Sequence, residues 1–168
     1  MSIETTIQNL QSKNEGIVLK AIDECRIKGN EKVLPALLDL LISTKNKEVA
    51  DAIKSILFEL KSSKAGDVII QYLESDKYKN HRDILFSSVW QSGIACEEHL
   101  TLLIKLACEE NYLTALEVLT VIENLEGALN EEEVMECLYT VQEAITEESD
   151  EEKSKLLQSL VLVLEGIR

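Results

Sequence analysis

Two helical stretches in immediate succession, Asn30–Ser62, constrain this chain more than any other feature. In the first, Val33, Leu34, Leu37, Leu38 and Leu41 recur at helical spacing. Pro35 falls in the opening turn, where its missing N–H does least harm. In the second, Val49, Ala52, Ile53, Ile56, Leu57 and Leu60 form another continuous apolar face. An isolated pair cannot bury both faces, so the unit needs neighbours, and the chain supplies them by repetition.

Ser2–Gln11 carries one apolar stripe, Ile3, Ile7 and Leu10. Gly16–Lys28 follows, with Val18, Ala21, Ile22 and Cys25 matching Val49, Ala52, Ile53 and Ile56 at an offset of 31, and Gly29 is expected to stop it. Beyond the central pair, Lys64–Ser75 uses Val68, Ile69, Tyr72 and Leu73, and Asn80–Ser92 uses Ile84, Leu85, Ser88 and Val89 before Gly93. Glu97–Glu110 carries Leu100, Leu103, Ile104 and Ala107; Leu113–Glu126 carries Leu116, Leu119, Ile122 and Leu125, with Gly127 as its stop. Asn130, with Glu133 three residues on, is a strong N-cap for a helix using Val134, Leu138, Val141 and Ile145. A last helix runs from about Glu151 to Glu165, capped by Ser149 or Asp150, with Gly166 close behind. First-helix starts at Val33, Val68, Leu100 and Val134 are 35, 32 and 34 residues apart. Second-helix ends fall at Gly29, Lys61–Ser62, Gly93, Gly127 and Gly166. Self-similarity near that period, in helices alone, predicts one all-α domain, an α-solenoid of about five helix pairs over residues 1–29, 30–62, 63–93, 94–127 and 128–168.

Asn30–Ser62 resembles a HEAT repeat. The resemblance rests on Leu34-Pro35-Ala36-Leu37-Leu38-Asp39-Leu40-Leu41 in the first helix and on the V-x-x-A-I-x-x-I-L pattern of Val49–Leu57 in the second. The Asp and Arg that HEAT repeats often carry at fixed places are mostly missing. Asn46 and Lys47 stand near those places in the central unit, and Arg82 stands for the arginine in the next. The resemblance implies a curved right-handed stack of antiparallel helix pairs, with second helices lining the concave side. It also implies scaffold or adaptor duty, and it brings no active site with it.

Charge narrows the partners. Residues 1–96 hold 13 acidic and 13 basic side chains, whereas residues 97–168 hold 18 acidic against 4 basic, so the C-terminal part carries the whole net charge of −14. A nucleic-acid ligand needs a cationic face to displace counterions from phosphate, and an anionic membrane surface needs the same. Neither is expected as a partner. The longest apolar run, Leu160–Leu164, is too short to span a bilayer, and the N-terminus shows no signal peptide. Cys25, Cys96, Cys108 and Cys137 are widely spaced among apolar helical residues, which reads as reduced core thiols in a cytoplasmic protein.

Candidate chemistry is thin. Cys96-x-x-His99 with Cys108 offers one short ligand spacing where structural zinc usually has two. His81 and His99 have no nucleophile near them in sequence and read as helix-end residues. The run Glu143–Glu152 lacks the alternating Asp/Asn ligands and the mid-loop glycine of a calcium loop. It reads as a solvated link with negative charge at a helix N-terminus. No phosphate-binding glycine loop, nucleophile elbow or dinucleotide fingerprint occurs. The expectation is therefore a non-catalytic protein without metal or cofactor, binding a protein or peptide. Two relatives of the HEAT architecture offer other roles. Bilin lyases suggest small-molecule handling or enzyme assistance, while alkylation-repair glycosylases would need a basic groove. An acidic inhibitory or immunity subunit is a further alternative.

Two surfaces are expected to carry binding. With Ile53 and Leu57 inward, Phe58 points away, and an offset of 32 places Trp90 over Phe58 and Phe86 over Lys54. Ile27, Phe58, Phe86 and Trp90, flanked by Lys54 and Arg82, then form an exposed stripe on the concave side. In the rival arrangement Phe86 and Trp90 turn inward beside Leu85 and Val89. The other surface is the last helix, where Leu162, Val163 and Ile167 widen the apolar face beyond the inner stripe of Leu156, Leu157, Leu160, Val161 and Leu164. That excess predicts contact with a second copy of the chain or with a partner, unless the preceding acidic helix covers it.

Overall fold

Local signals account for most helix starts in the computed structural model, which describes residues 2–28, 31–60 and 63–167. Ser2 caps α1 (Ile3–Leu10) by accepting the Thr5 amide. Asn46 caps α4 (Lys47–Phe58) through bonds from the Glu48 and Val49 amides at 2.8 and 3.3 Å. Each cap satisfies N–H groups that a helix start leaves without partners. The remaining helices of this part are α2 (Glu15–Lys28), α3 (Leu34–Ser43), α5 (Ser63–Glu74) and α6 (Arg82–Ser92), and Pro35 lies in the first turn of α3 as expected. Gly93 ends α6 at φ 65°, a left-handed position that glycine adopts without strain. The expected stops at Gly29 and Lys61–Ser62 lie outside the described residues.

The chain is all-α, with ten α-helices and no strand among the described residues. It divides into two compact units, one ending at Ile94 and the other starting at Ala95. In the first unit, α2 packs on α4 and α4 on α6, while α1 packs on α3 and α3 on α5. Like helices of successive pairs are therefore neighbours. Most of the predicted core is buried, including Val18, Ile22, Leu34, Leu37, Leu38, Ile53, Leu57, Ile69 and Leu73, whereas the predicted Ala52, Leu60, Val68, Tyr72 and Ile84 are only half-buried. Arg26 in the last turn of α2 donates to Ser55 at 3.0 Å and pairs with Glu59 at 3.2 Å, which brings together the C-terminal ends of α2 and α4. A second tie joins α3 to the 3-10 turn Asp76–His81. The Asp39 carboxylate accepts from Lys77 at 2.5 Å and from the Tyr78 hydroxyl, and the Tyr78 ring meets Tyr72 edge to face at 4.6 Å. Burial, reinforced by Asp39, pushes the Tyr78 phenol well above its ordinary range.

The second unit holds α7 (Leu100–Glu109), α8 (Tyr112–Glu123), α9 (Glu131–Glu147) and α10 (Glu151–Ile167). Asn130 caps α9 by accepting the Glu133 amide at 3.1 Å, and Asp150, not Ser149, caps α10. Glu133 also accepts from the Thr101 hydroxyl at 2.8 Å, so the first turns of α7 and α9 meet. Helix α8 ends at Glu123, before the predicted Gly127 stop, as Asn124 turns its side-chain amide back onto the Thr120 carbonyl at 2.7 Å. Gly127 serves a different purpose: its amide donates to Glu97 at 2.7 Å, and an added Cβ would lie 2.4 Å from that carboxylate. Gly166 lies within α10.

Candidate interaction surface

The predicted stripe on the second helices is only partly on the surface. Ile27 is 78% exposed and Trp90 36%, while Lys54 and Phe58 are half-buried. Ile27, Phe58 and Trp90 each fall in the last turn of their helix. Phe86 and Arg82 are corrections. Phe86 is fully buried: it lies inward beside the buried Leu85 and Val89, as in the rival arrangement, on a helix that packs against both α4 and α5. Neighbouring helical positions differ by about 100°, so a helix packed on two sides buries Phe86 together with Leu85. Arg82 is buried because its Nε donates to the Leu73 carbonyl at 2.8 Å, placing the cation at the C-terminal end of α5 where the helix dipole favours it.

On α10 the buried residues are Lys153, Leu157, Leu160 and Leu164, and α8 and α9 both pack against this helix. Leu162 remains 69% exposed and Ile167 is also exposed, whereas Val163, Leu156 and Val161 are half-buried. The preceding helix therefore leaves Leu162 uncovered.

A further apolar group lies on α8, where the expected stripe holds at Leu119 and Ile122 but not at Leu116. Asn111 fixes the helix start by accepting the Thr114 amide at 3.0 Å. From there Thr114, Ala115, Val118, Leu119, Val121 and Ile122 turn inward. Leu113 is left 65% exposed, with Tyr112 and Leu116 exposed beside it. Leu116 was expected to be core. The signal available in the sequence was excess: Tyr112–Glu123 has more apolar residues than one buried face can use, the same sign that singles out α10.

The electrostatics around these groups are one-sided. Of the second unit's cations, Lys155 is paired with Glu152 at 2.7 Å. Lys153 is buried, paired with Glu148 at 2.7 Å and donating to the Cys108 carbonyl at 2.7 Å. Lys105 is exposed. The acidic side chains thus dominate the field that a ligand meets.

The thiols are set for packing. All four are free; burial pushes Cys25 and Cys108 up to about 11 and Cys96 up to about 12, and raises Cys137 as well. A thiol held protonated is a poor nucleophile and a poor metal ligand. Cys96, His99 and Cys108 do not assemble into a site, and no group of three or more His, Cys, Asp or Glu among the described residues could hold a metal. No helix among the described residues is long and apolar enough to cross a membrane. No known family model matches the chain, and no curated protein matches it.

Proposed function

We propose that this chain is a non-catalytic interaction module, a short right-handed α-solenoid of HEAT-like helix pairs that binds a protein or peptide partner in the cytoplasm. The repeat reading draws support from like-with-like packing within each unit and from polar ties near one repeat length, Arg26 to Ser55 and Glu59, and Thr101 to Glu133. The observation that carries the binding reading is the set of exposed apolar side chains, Tyr112, Leu113, Leu116 and Leu162, on the unit that carries the whole net charge of −14. An exposed apolar residue alone is ordinary, but several on helices whose buried faces are already filled mark a surface kept for contact. The acidic field steers a basic partner toward that surface. Free thiols accord with a reducing compartment.

Affinity capture at low salt, followed by reconstitution from purified components, tests this. The expected result is a stoichiometric complex with a basic protein that dissociates near about 0.5 M salt, where screening acts within a few Å. A chain that returns without a stoichiometric partner at low salt refutes the module.

A further inference from the structure

We infer that the outer face of the first half of α8, centred on Leu113 and Leu116 with Tyr112 at its edge, seats a cationic amphipathic segment of a partner protein. This rests on the interaction-module reading and adds the seat and the chemistry of what occupies it. Helix α8 turns about 100° per residue, so with Ala115, Val118, Leu119 and Ile122 inward, Leu113, Leu116, Glu117, Thr120 and Glu123 share the outward side. The apolar residues lie in the first turns and the acidic ones follow, with exposed Glu109 just before the helix. The cap at Asn111 and the short link from α7 to α8, residues 110–111, hold those first turns in place.

Charge decides among occupants. A second copy would bring two surfaces of the same sign together, since the unit holds 18 acidic and 4 basic side chains and two of the four cations, Lys153 and Lys155, are in internal ion pairs. Anionic lipid and nucleic acid meet the same repulsion. A segment with Leu-like side chains on one side and Lys or Arg on the other satisfies both halves of the surface, as an amphipathic helix laid on an apolar patch does.

The probe is a fluorescein-labelled Leu/Lys peptide of about 18 residues, roughly five helical turns. Its control is a scrambled isomer with the same charge and no apolar face. Anisotropy should show the amphipathic peptide binding wild type at least about tenfold tighter than the scramble, and the Leu113→Ser/Leu116→Ser double variant losing about tenfold or more. Both side chains are exposed, so the double variant should keep the wild-type melting curve; Tyr139→Ser, at an exposed ring on α9 outside the proposed surface, should bind as wild type. Glu109→Gln and Glu123→Gln should each weaken binding and flatten its salt dependence. Binding by the double variant within about twofold of wild type, or equal binding of the scramble, overturns the seat. So does a failure of wild type to bind either peptide. If instead Leu162→Ser abolishes binding and the α8 variant keeps it, the seat moves to α10 and this inference falls while the module reading stands. If the capture experiment finds no partner, the module itself fails.

Discussion

Replacing Phe86 by alanine separates the two arrangements of α6 by a wide margin. The ring is wholly inaccessible and lies on the face of α6 shared with Leu85 and Val89. Truncating a fully buried phenylalanine removes its transfer free energy and leaves a cavity, together about 3–5 kcal/mol. In a chain of this length each kcal/mol moves the melting midpoint by about 2–4 °C, so the expected drop is about 6–20 °C. Were the ring part of a solvent-facing stripe, the same change would stay within about 0.5 kcal/mol, as Ile27→Ala should. Urea melts followed by far-ultraviolet circular dichroism give the free energy, and Trp90, the single tryptophan, gives a second probe on the same helix. Phe86→Leu, which keeps much of the volume, should lose less than alanine and supplies a folded comparison if the alanine variant does not fold. A Phe86→Ala protein within about 1 kcal/mol of wild type would refute the inward phase of α6 and restore the exposed stripe.

Lys153→Met should destabilise by about 1.5–3 kcal/mol through the lost charged hydrogen bond to the Cys108 carbonyl, read by the same melts. The hydrogen bond from Lys153 and then the amide of Asp150 hold the Glu148 carboxyl below its ordinary value of 4.5. A depressed carboxyl contributes stability that is present above the unfolded value and lost as pH falls through the folded one. Wild type should therefore lose stability below about pH 4.5 more steeply than Lys153→Met, and parallel acid limbs would exclude that linkage. If Leu162 meets a second copy, sedimentation should show a dimer that tightens with salt, as screening relieves repulsion between two acidic units, and Leu162→Glu should abolish it. A wild-type monomer in high salt at about 100 μM rules the homodimer out.

What could be read from the sequence, and what could not, divides along a physical line. The pair α3–α4 was legible because large residues recur at helical spacing along one stripe of each helix, although α3 also carries Ala36, Leu40 and Ile42 off that stripe. Leu34, Leu37, Leu38, Val49, Ile53 and Leu57 are all buried as that stripe requires. Helix starts were legible where a cap is chemically specific, as at Asn130, whose side chain binds the Glu133 amide. Phase was lost where a helix is apolar round much of its circumference. In α6, Leu85, Phe86, Val89 and Trp90 offer two adjacent inward orientations, and packing on α4 and α5 selects the one that buries Phe86. In α8, Leu113 and Leu116 compete with Ala115 and Leu119 for the same role, and packing against α7 and α10 selects the smaller set. Glu97 accepting the Gly127 amide and Lys153 reaching Cys108 span 30 and 45 residues, distances over which local pattern carries no information. The consequence for function is direct. Surplus apolar residues are where local sequence ceases to dictate orientation, and they are also the residues a folded chain can leave outside for a partner. On the proposed interaction-module reading, ambiguous helical phase marks the candidate surface: α8 and α10 are ambiguous, and each leaves leucine exposed on an acidic ground.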